Sequence, residues 1–492
     1  MASPGVLFAQ LWQRIEPKAG EILAVPWAGR NATEFDSLLQ LLTSAAGPDL
    51  PDEIDAYLAT AIMSFPCSVA DPDQRAFVVL CVIDESAIAV HPAFATRLPG
   101  ISQSLGGMLT TMRAERTSEG CYADVAGIGL VVPKGHLMPR KRPDDRSEAS
   151  GTEIGHQFEH LTLVRHLGQG RTIRFEAPPP SKFDLPPDRA EAVGLAPIAE
   201  EPGDLKFIAS QRGDRAYLDT VPGIPTLIDR ATAAVKAMLD EGAGLVVLPE
   251  LTMPQGGAAM LAAALKAQGG AATPALIVAG SGIGDKFDPG VDRPHNEAVL
   301  LSADGRVLCR QRKINLFNMS VYRMEQCGIA RAVGFENKPH LEDSAAGTEQ
   351  VVLDLLGLGR VLPLICEDLE QDKPGGEVAL SIRPDWIVTP VLDVSLAAGR
   401  WPHRRAIELG RKTLSRVVVS CSGTLGVRAA GAATLAATHP HVNIGICYDG
   451  FVDNRIYLVP GTGALSPDRT VVTWNAASWP KHTIILDNST PS

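Results

Sequence analysis

The stretch GLVVLPE, residues 244–250, decides the fold class of this chain. Its four consecutive apolar residues lie between a glycine and a proline, which predicts a short, fully buried strand. The preceding segment, residues 224–241, places its apolar side chains at helical spacing, and Gly242 is a typical residue to end such a helix. A helix leading directly into a buried strand is typical of layered α/β proteins.

The same alternation continues on both sides of this stretch. Further strands are predicted at residues 205–209, 275–279, 298–302, 351–355, 361–366, 386–389, 417–421 and 455–459, and further helices at 257–267 and 404–414. This pattern predicts an α/β domain over residues 204–492.

The chain before this domain divides into two parts. Residues 177–203 contain seven prolines and little apolar periodicity, which predicts an extended linker. Residues 1–176 are interpreted as a separate α/β module of unknown role. In this module, helices are predicted at 38–42 and 54–62, and strands at 77–83 and 128–132.

Composition excludes several classes of protein. The chain has 492 residues, 45% of them hydrophobic, which excludes a wholly disordered protein. Its net charge of −11 argues against nucleic-acid binding and against a polybasic membrane anchor. No apolar run reaches the roughly 20 residues of a membrane span, and the N-terminus does not resemble a signal peptide. The eight cysteines are scattered without a CxxC pair, so we expect buried thiols in a reducing cytoplasm and no zinc ribbon.

Three chemically active side chains each follow a strand-like segment. Glu250 follows LVVLP, Lys313 stands in QRKI, and Cys366 stands in LPLICED. Side chains at strand ends of α/β sheets lie in loops held by a rigid base, where ligand chemistry collects. A cysteine nucleophile needs a proton acceptor, which Glu250 could supply, and Lys313 could stabilise the oxyanion formed after attack. The N–H of Glu367, directly after the cysteine, could be a second oxyanion donor.

The order VVLPE, RKI and LICED resembles the nitrilase, or carbon–nitrogen hydrolase, superfamily. The resemblance implies an αββα sandwich and a triad with Glu250 as general base, Lys313 as oxyanion stabiliser and Cys366 as nucleophile. It implies hydrolysis of a small-molecule carbon–nitrogen bond through a thioester, without metal or organic cofactor. It also implies self-association into a dimer or a larger homo-oligomer.

Two further features concern the details of that chemistry. Family members often carry a second glutamate shortly after the lysine, and the first one here is Glu325, which is therefore the candidate. The irregular stretch 315–349 is predicted to be a substrate-facing loop. The triplet Cys-Glu-Asp at 366–368 resembles amide-hydrolysing glutaminase domains more than true nitrilases, which favours an amide substrate. Asp368 itself is interpreted as a structural residue that caps the turn.

Two alternatives remain open at this stage. The domain could be a non-catalytic scaffold or small-molecule sensor with a partner-binding N-terminal module. The motif HQFEH, residues 156–160, matches an inverted zinc-peptidase pattern if it forms a helix, but a third ligand has no evident match. The competing interpretation of this motif is an ordinary amphipathic helix with Phe158 buried.

Overall fold

The computed structural model describes a mixed α/β protein in two compact units. The described residues are 4–24, 32–44, 56–64, 70–86, 123–134, 154–158, 160–168, 170–178, 183, 185, 192–199, 204–209, 215–220, 224–267, 274–284, 293–326, 339–355, 357–426, 443–450, 455–460, 469–473 and 483–486. The first unit comprises Met1–Gln169 and Leu380–Pro384, and the second comprises Gly170–Ala379 and Asp385–Ser492.

The first unit combines helices with a small antiparallel sheet. Its elements are α1 (Pro4–Ile15), α2 (Ala19–Ala24), α3 (Ala32–Ser44), α4 (Ala56–Met63), α5 (Pro72–Ser86), β1 (Ala123–Val125), β2 (Gly129–Pro133) and β3 (Leu161–Val164). Its core is partly aromatic, since the rings of Phe8, Trp12 and Phe77 pack at tilted or edge-on angles against the ring of Phe158. The helices predicted near residues 38–42 and 54–62 and the strand near 128–132 are confirmed.

The strand predicted at residues 77–83 is wrong, because these residues lie in the middle of helix α5. The helix starts at a clear signal: the Asp71 carboxylate accepts hydrogen bonds from the N–H groups of Asp73 and Gln74, and Pro72 occupies the first turn. Its residues from Ala76 to Ile83 are almost all buried. A helix buried on nearly all sides has no polar face, and its apolar run cannot be distinguished from a buried strand by periodicity.

The motif HQFEH does not form the helix that the zinc interpretation requires. Ile154–Gln157 is a short 3-10 turn, and strand β3 begins at Leu161. Phe158 is fully buried, as the amphipathic interpretation expected, but the turn ends before His160. Within the described ranges, no group of three or more His, Cys, Asp or Glu side chains is arranged to hold a metal ion.

The second unit contains the remaining strands and helices. They are β4 (Thr172–Glu176), β5 (Ala192–Leu195), β6 (Leu205–Ala209), β7 (Arg215–Thr220), α6 (Ile224–Asp240), β8 (Leu245–Val247), α7 (Gly257–Ala267), β9 (Leu276–Ile283), β10 (Asn296–Ser302), β11 (Val307–Arg312), β12 (Asn318–Met319), α8 (Val321–Gln326), β13 (His340–Glu342), β14 (Glu349–Leu355), β15 (Gly359–Pro363), α9 (Glu367–Glu370), α10 (Glu377–Ile382, which runs into the first unit), β16 (Trp386–Val391), α11 (Trp401–Thr413), β17 (Arg416–Cys421), β18 (Asn443–Asp449), β19 (Arg455–Pro460), β20 (Arg469–Thr473) and β21 (Thr483–Leu486).

These strands form two large sheets and one small sheet. The order in sheet A is β11-β10-β9-β8-β5-β20-β21, and the order in sheet B is β19-β18-β17-β16-β15-β14-β4. The small sheet has the order β12-β13-β7-β6. In the centre of each large sheet the neighbouring strands are parallel, as in β5-β8-β9 and β15-β16-β17. Parallel strands buried on both faces explain the continuous apolar runs in the sequence.

Sheets A and B pack face to face. The side chain of Leu195 in β5 packs onto Gly445 of β18, where an added methyl group would lie 2.4 Å from the Leu195 Cδ1. Helix α6 covers the other face of sheet A, where Met238 lies against Gly194. Helix α11 covers the outer face of sheet B, where Gly410 packs against Tyr448 of β18 and Val417 of β17. The second unit is therefore built in the αββα order that the resemblance implied.

The predicted linker differs from the structure in one segment. Ala192–Leu195 forms β5, which is buried in the middle of sheet A between β8 and β20. Just before the predicted linker, Thr172–Glu176 pairs with β14 as the edge strand of sheet B, and the boundary between the two units lies at Gln169. The four residues of β5 are too few to produce a periodic signal among the prolines around them. Most of the other residues between 177 and 203 lie outside the described part of the chain.

Two further expectations concern the whole chain. The cysteines within the described ranges are all buried and form no disulfide, namely Cys81, Cys309, Cys366, Cys421 and Cys447. Cys67, Cys121 and Cys327 lie outside the described residues. None of the helices in the described ranges combines the length and the apolar character that crossing a bilayer requires.

Candidate active site

The three predicted residues reach the site from different strands. Glu250 follows β8, and Lys313 directly follows β11, both in sheet A, whereas Cys366 lies between β15 of sheet B and helix α9. Backbone hydrogen bonds join the segments: the N–H groups of Glu250 and Cys366 donate to the carbonyls of Val391 and Pro390, at 3.4 and 2.9 Å. Because these acceptors are consecutive residues at the end of β16, the two segments are held side by side.

Lys313 lies between two carboxylates. Its Nζ is 2.9 Å from Oε1 of Glu250 and 2.8 Å from Oε2 of Glu342. All three side chains are almost completely buried, with 2%, 2% and 4% of their surface exposed. An ammonium group this deeply buried requires opposite charges in direct contact.

Asn296 connects the two carboxylates. Its Nδ2 donates to Oε1 of Glu250 at 3.0 Å and to Oε1 of Glu342 at 3.2 Å. The side chain is 2% exposed and belongs to β10, next to the strand that carries Lys313. The backbone of Asn296 also accepts the N–H of Lys313 at 2.8 Å. Asn296 therefore positions the lysine and both of its carboxylate partners, and nothing in the sequence pattern had indicated it.

Cys366 lies in a strained turn at the centre of the cluster. Its backbone has φ 46° and ψ −101°, a conformation that non-glycine residues rarely adopt. Such strain persists only where the surrounding structure imposes it, and it is concentrated at functional sites. Glu250, Lys313 and the N–H of Leu392 all lie close enough to the Cys366 thiol to act on its pKa. That N–H also donates to Oε2 of Glu250 at 2.9 Å.

The charges at the site set the resting protonation states. Burial and the negative charge of Glu250 raise the pKa of the Cys366 thiol well above its usual range, and Lys313 only partly opposes them. Burial disfavours the Lys313 ammonium, but Glu250 and Glu342 outweigh it and raise the pKa of Lys313 well above its usual range. Burial likewise disfavours the Glu342 carboxylate, yet Lys313 and Asn296 hold the pKa of Glu342 below its usual range. The site at rest therefore contains a neutral thiol beside a charged lysine.

Glu342, and not Glu325, is the second carboxylate at Lys313. Glu325 lies on the short helix α8 and is exposed to solvent. Glu342 lies at the end of β13, 29 residues after Lys313, and its Oε2 also accepts the N–H of Phe317 at 3.4 Å. The choice of the glutamate nearest to Lys313 in sequence was wrong. Strands β12 and β13 pair, which brings residues 318 and 341 together and places Glu342 near Lys313. The described parts of the stretch 315–349 thus contain β12, α8, β13 and the first residue of β14.

Asp368 and Glu367 occupy the first turn of α9. The Asp368 carboxylate accepts the N–H groups of Ile314 and Asn315, at 3.1 and 2.7 Å, and that of Ile365 at 3.4 Å. This supports the interpretation that Asp368 caps the turn, and the contacts also extend to the segment that carries Lys313. Glu367 is the first residue of α9, so its N–H has no acceptor within the helix.

Comparison with known proteins connects this geometry to a family. The family model of the carbon–nitrogen hydrolases matches residues 220–373, the segment that contains Glu250, Lys313, Glu342 and Cys366. This confirms the resemblance noted in the sequence for that segment, and it supports a general amidohydrolase-type function. None of the curated proteins compared with the chain matches it significantly.

Several solved structures are similar to this chain at low identity. A variant of the amidase from Nesterenkonia sp. AN1, with the acetamide moiety of fluoroacetamide added to its active-site cysteine, is 14% identical with a TM-score of 0.37, covering 60% of this chain and 94% of that one. Saccharomyces cerevisiae Nit3, a nitrilase-superfamily member, is 14% identical with a TM-score of 0.36, covering 65% and 93%. The glutamine-dependent NAD+ synthetase from Acinetobacter baumannii is 16% identical with a TM-score of 0.36, covering 58% of this chain and 45% of that one.

Proposed function

We propose that this protein is a thiol amidohydrolase that cleaves a non-peptide carbon–nitrogen bond through a thioester on Cys366. The observation that carries the proposal is that Glu250 contacts Lys313 at 2.9 Å and is held beside the turn of Cys366 by the consecutive residues at 390–392. A nucleophile, a proton acceptor and a cation gathered in one buried cluster form the set of groups that nucleophilic acyl transfer requires.

In the first half-reaction, Glu250 accepts the thiol proton as the Cys366 sulfur attacks the amide carbonyl carbon. The C=O π pair moves to oxygen, and the resulting oxyanion is stabilised by the Lys313 ammonium and the N–H of Glu367. The oxyanion then collapses, the C–N bond breaks, and the proton held by Glu250 goes to the departing amine or ammonia. Because the raised pKa of the thiol keeps it neutral at rest, proton transfer accompanies the attack.

In the second half-reaction, water replaces the amine. Glu250 removes a proton from the water as its oxygen attacks the thioester carbon, and the same donors stabilise the second oxyanion. The C–S bond then breaks, the carboxylic acid leaves, and the proton on Glu250 returns to the sulfur. The resident groups supply every proton transfer, so the proposed cycle uses no metal or organic cofactor.

We keep an amide as the proposed substrate, rather than a nitrile. The Cys-Glu-Asp triplet at 366–368 is the basis for this choice, because it resembles the glutaminase domains of the superfamily. The resemblance also carries the proposal that the protein self-associates, which sedimentation of the full chain would test.

The decisive experiment combines Cys366→Ala with capture of the acyl-enzyme. The wild-type protein is incubated with a set of small amides at pH 8, quenched with acid and weighed by mass spectrometry, and we expect an acyl adduct on the peptide that contains Cys366. Cys366→Ala should form no adduct and should lose turnover, whereas Cys447→Ala, at a buried thiol in β18, should retain both. Full turnover by Cys366→Ala would refute the mechanism. A wild-type protein that is neither acylated nor active would favour the scaffold or sensor alternative.

A further inference from the structure

The carboxylate of Asp368 joins the two chain segments that carry Lys313 and Cys366. Oδ1 is 3.1 Å from the N–H nitrogen of Ile314 and 2.7 Å from that of Asn315, the two residues after Lys313. Oδ2 is 3.2 Å from the nitrogen of Ile314 and 3.4 Å from that of Ile365, the residue before Cys366. One buried side chain therefore holds both segments at once, across more than fifty positions of sequence.

These contacts need the ionised form of the carboxyl group. A carboxylate offers lone pairs on both oxygens, whereas a carboxylic acid replaces one acceptor position by an O–H donor. Three backbone N–H groups point at Asp368, and none of them can accept a hydrogen bond. Protonation therefore places an O–H among N–H groups that point at the same carboxyl group and weakens the contacts that connect Lys313 to the turn of Cys366.

We propose that Asp368 is a positioning residue whose ionised carboxylate holds Lys313 and Cys366 in reactive alignment, so that its protonation switches the site to a less reactive form. The proposal rests on the proposed function and extends it to a regulation of the same site by pH. Asp368 touches neither thiol nor substrate, and it acts through the backbone of the residues that do.

The protonation falls in an accessible pH range. Burial raises the pKa of Asp368 to about 7, although the three N–H donors and Lys313 act in the opposite direction. The reactive form should therefore predominate above about pH 7 and be lost as the pH falls through that value. The charged and titratable groups on the elements around Asp368 are Lys313, Cys366, Glu367, Glu370, Asp372, Lys373 and Arg405.

Glu367 is the competing candidate for such a titration. Burial also raises the pKa of Glu367, although Gln371 and Lys313 oppose it. Its carboxylate, however, accepts a hydrogen bond from Gln371 on its own turn, at 2.5 Å, and this contact does not join the two segments. Separate variants of the two carboxyl groups distinguish their contributions.

The test follows the alkylation of Cys366 by iodoacetamide, which requires no knowledge of the substrate. The rate is measured on the full-length protein from pH 5.5 to 9 by mass spectrometry of the Cys366 peptide. In the wild type we expect the rate of Cys366 alkylation to fall below pH 7 more steeply than the decrease in the thiolate fraction of Cys366 alone would cause. We call this additional decrease the extra fall. Asp368→Asn should remove this extra fall and lower the rate at pH 8 by about tenfold, since an amide cannot replace both carboxylate oxygens as acceptors.

Two control variants complete the design. Glu370→Gln changes an exposed carboxyl group in the same helix and should leave the pH profile unchanged, and Glu367→Gln should retain the extra fall. An extra fall that disappears in Glu367→Gln, or that persists in Asp368→Asn, would overturn the proposal. If Asp368→Asn does not fold, the wild-type profile still decides, because a profile without the extra fall would also overturn it.

The failure of this proposal differs from the failure of the proposed function. Loss of turnover in Cys366→Ala, together with an unaltered pH profile of alkylation in Asp368→Asn, would refute only the positioning role of Asp368. Full turnover in Cys366→Ala would refute the proposed function, regardless of the pH profile of alkylation. If Asp368 had only a structural role, its replacement would lower the free energy of unfolding. The molecules that remain folded would then keep the wild-type pH dependence of Cys366 alkylation.

Discussion

Replacing Glu342 by glutamine is the most informative single change at the site. Gln keeps the shape of the side chain and an oxygen that can accept from Lys313, but it removes the negative charge. The comparison with Glu325→Gln is a direct test, because Glu325 is the glutamate that sequence distance had selected and it is exposed on α8.

The expected size of the effect follows from the contact with Lys313. The ammonium nitrogen lies 2.8 Å from the Glu342 oxygen, and both groups are buried. Two unit charges with centres about 4 Å apart attract each other by about 4 kcal/mol at an effective dielectric constant of about 20. Removing one of the two carboxylates that raise the pKa of Lys313 therefore lowers that pKa, and the lysine becomes neutral at a lower pH.

Two kinetic consequences follow for the Glu342→Gln variant. An alkaline fall of kcat, which in the wild type lies above the assayed range because the pKa of Lys313 is raised, should move to lower pH, because neutral Lys313 cannot stabilise an oxyanion. At neutral pH, kcat should fall by about 100-fold, because losing a hydrogen bond between buried charged groups costs about 1.5–3 kcal/mol and about 1.4 kcal/mol corresponds to a tenfold change in rate.

The assay is steady-state hydrolysis from pH 6 to 10, on the amide identified by acyl-enzyme capture. Urea unfolding checks that Glu342→Gln remains folded under the assay conditions, and Glu325→Gln should stay within about twofold of the wild type, as expected for a surface substitution. The reasoning would be refuted by a Glu342→Gln variant that keeps the wild-type kcat and the wild-type position of the alkaline fall. It would equally be refuted if Glu325→Gln showed the larger loss.

Three further predictions address other parts of the site. Asn296→Ala should lower kcat by about tenfold with a smaller change in KM, because it removes the donor shared by two carboxylates; unchanged steady-state constants would contradict this role. Iodoacetamide should modify Cys366 faster than Cys309, whose pKa burial raises to about 12, because Cys366 has Glu250 beside it as a proton acceptor; equal rates for both peptides would count against activation. Gly282→Ala should destabilise the protein by about 3 kcal/mol in urea unfolding, since the new methyl group would lie 1.6 Å from a backbone oxygen in the loop after β8; an unchanged midpoint would show that this loop can move freely.

Sequence patterns predicted the second unit well. The strands ending near Glu250 and Cys366 lie where their apolar runs predicted, because central parallel strands are buried on both faces and need apolar side chains throughout. Helices α6 and α7 were predicted from their spacing for a similar reason, since one face of each packs on sheet A. Elements with a short or unusual pattern were missed, such as the four-residue strand β5 and helix α5, which is almost entirely buried from Ala76 to Ile83.

The positioning groups of the site could not be predicted in the same way. Asn296 and Glu342 carry no local signal, because their function depends on where β10 and β13 bring them relative to Lys313. The strained backbone of Cys366 also has no sequence signature, since its φ of 46° is imposed by surrounding contacts.

The sequence by itself determined the types of group available for chemistry and the elements that carry them. Apolar periodicity indicates which segments are buried. The buried segments form the strands, and Glu250, Lys313 and Cys366 lie just after strands end. Only the tertiary structure decided which carboxylates surround the lysine and which side chain joins the lysine to the cysteine. These choices depend on contacts between residues that are 29 to 63 positions apart, and the pairing of strands, which local pattern does not encode, brings such residues within hydrogen-bonding distance.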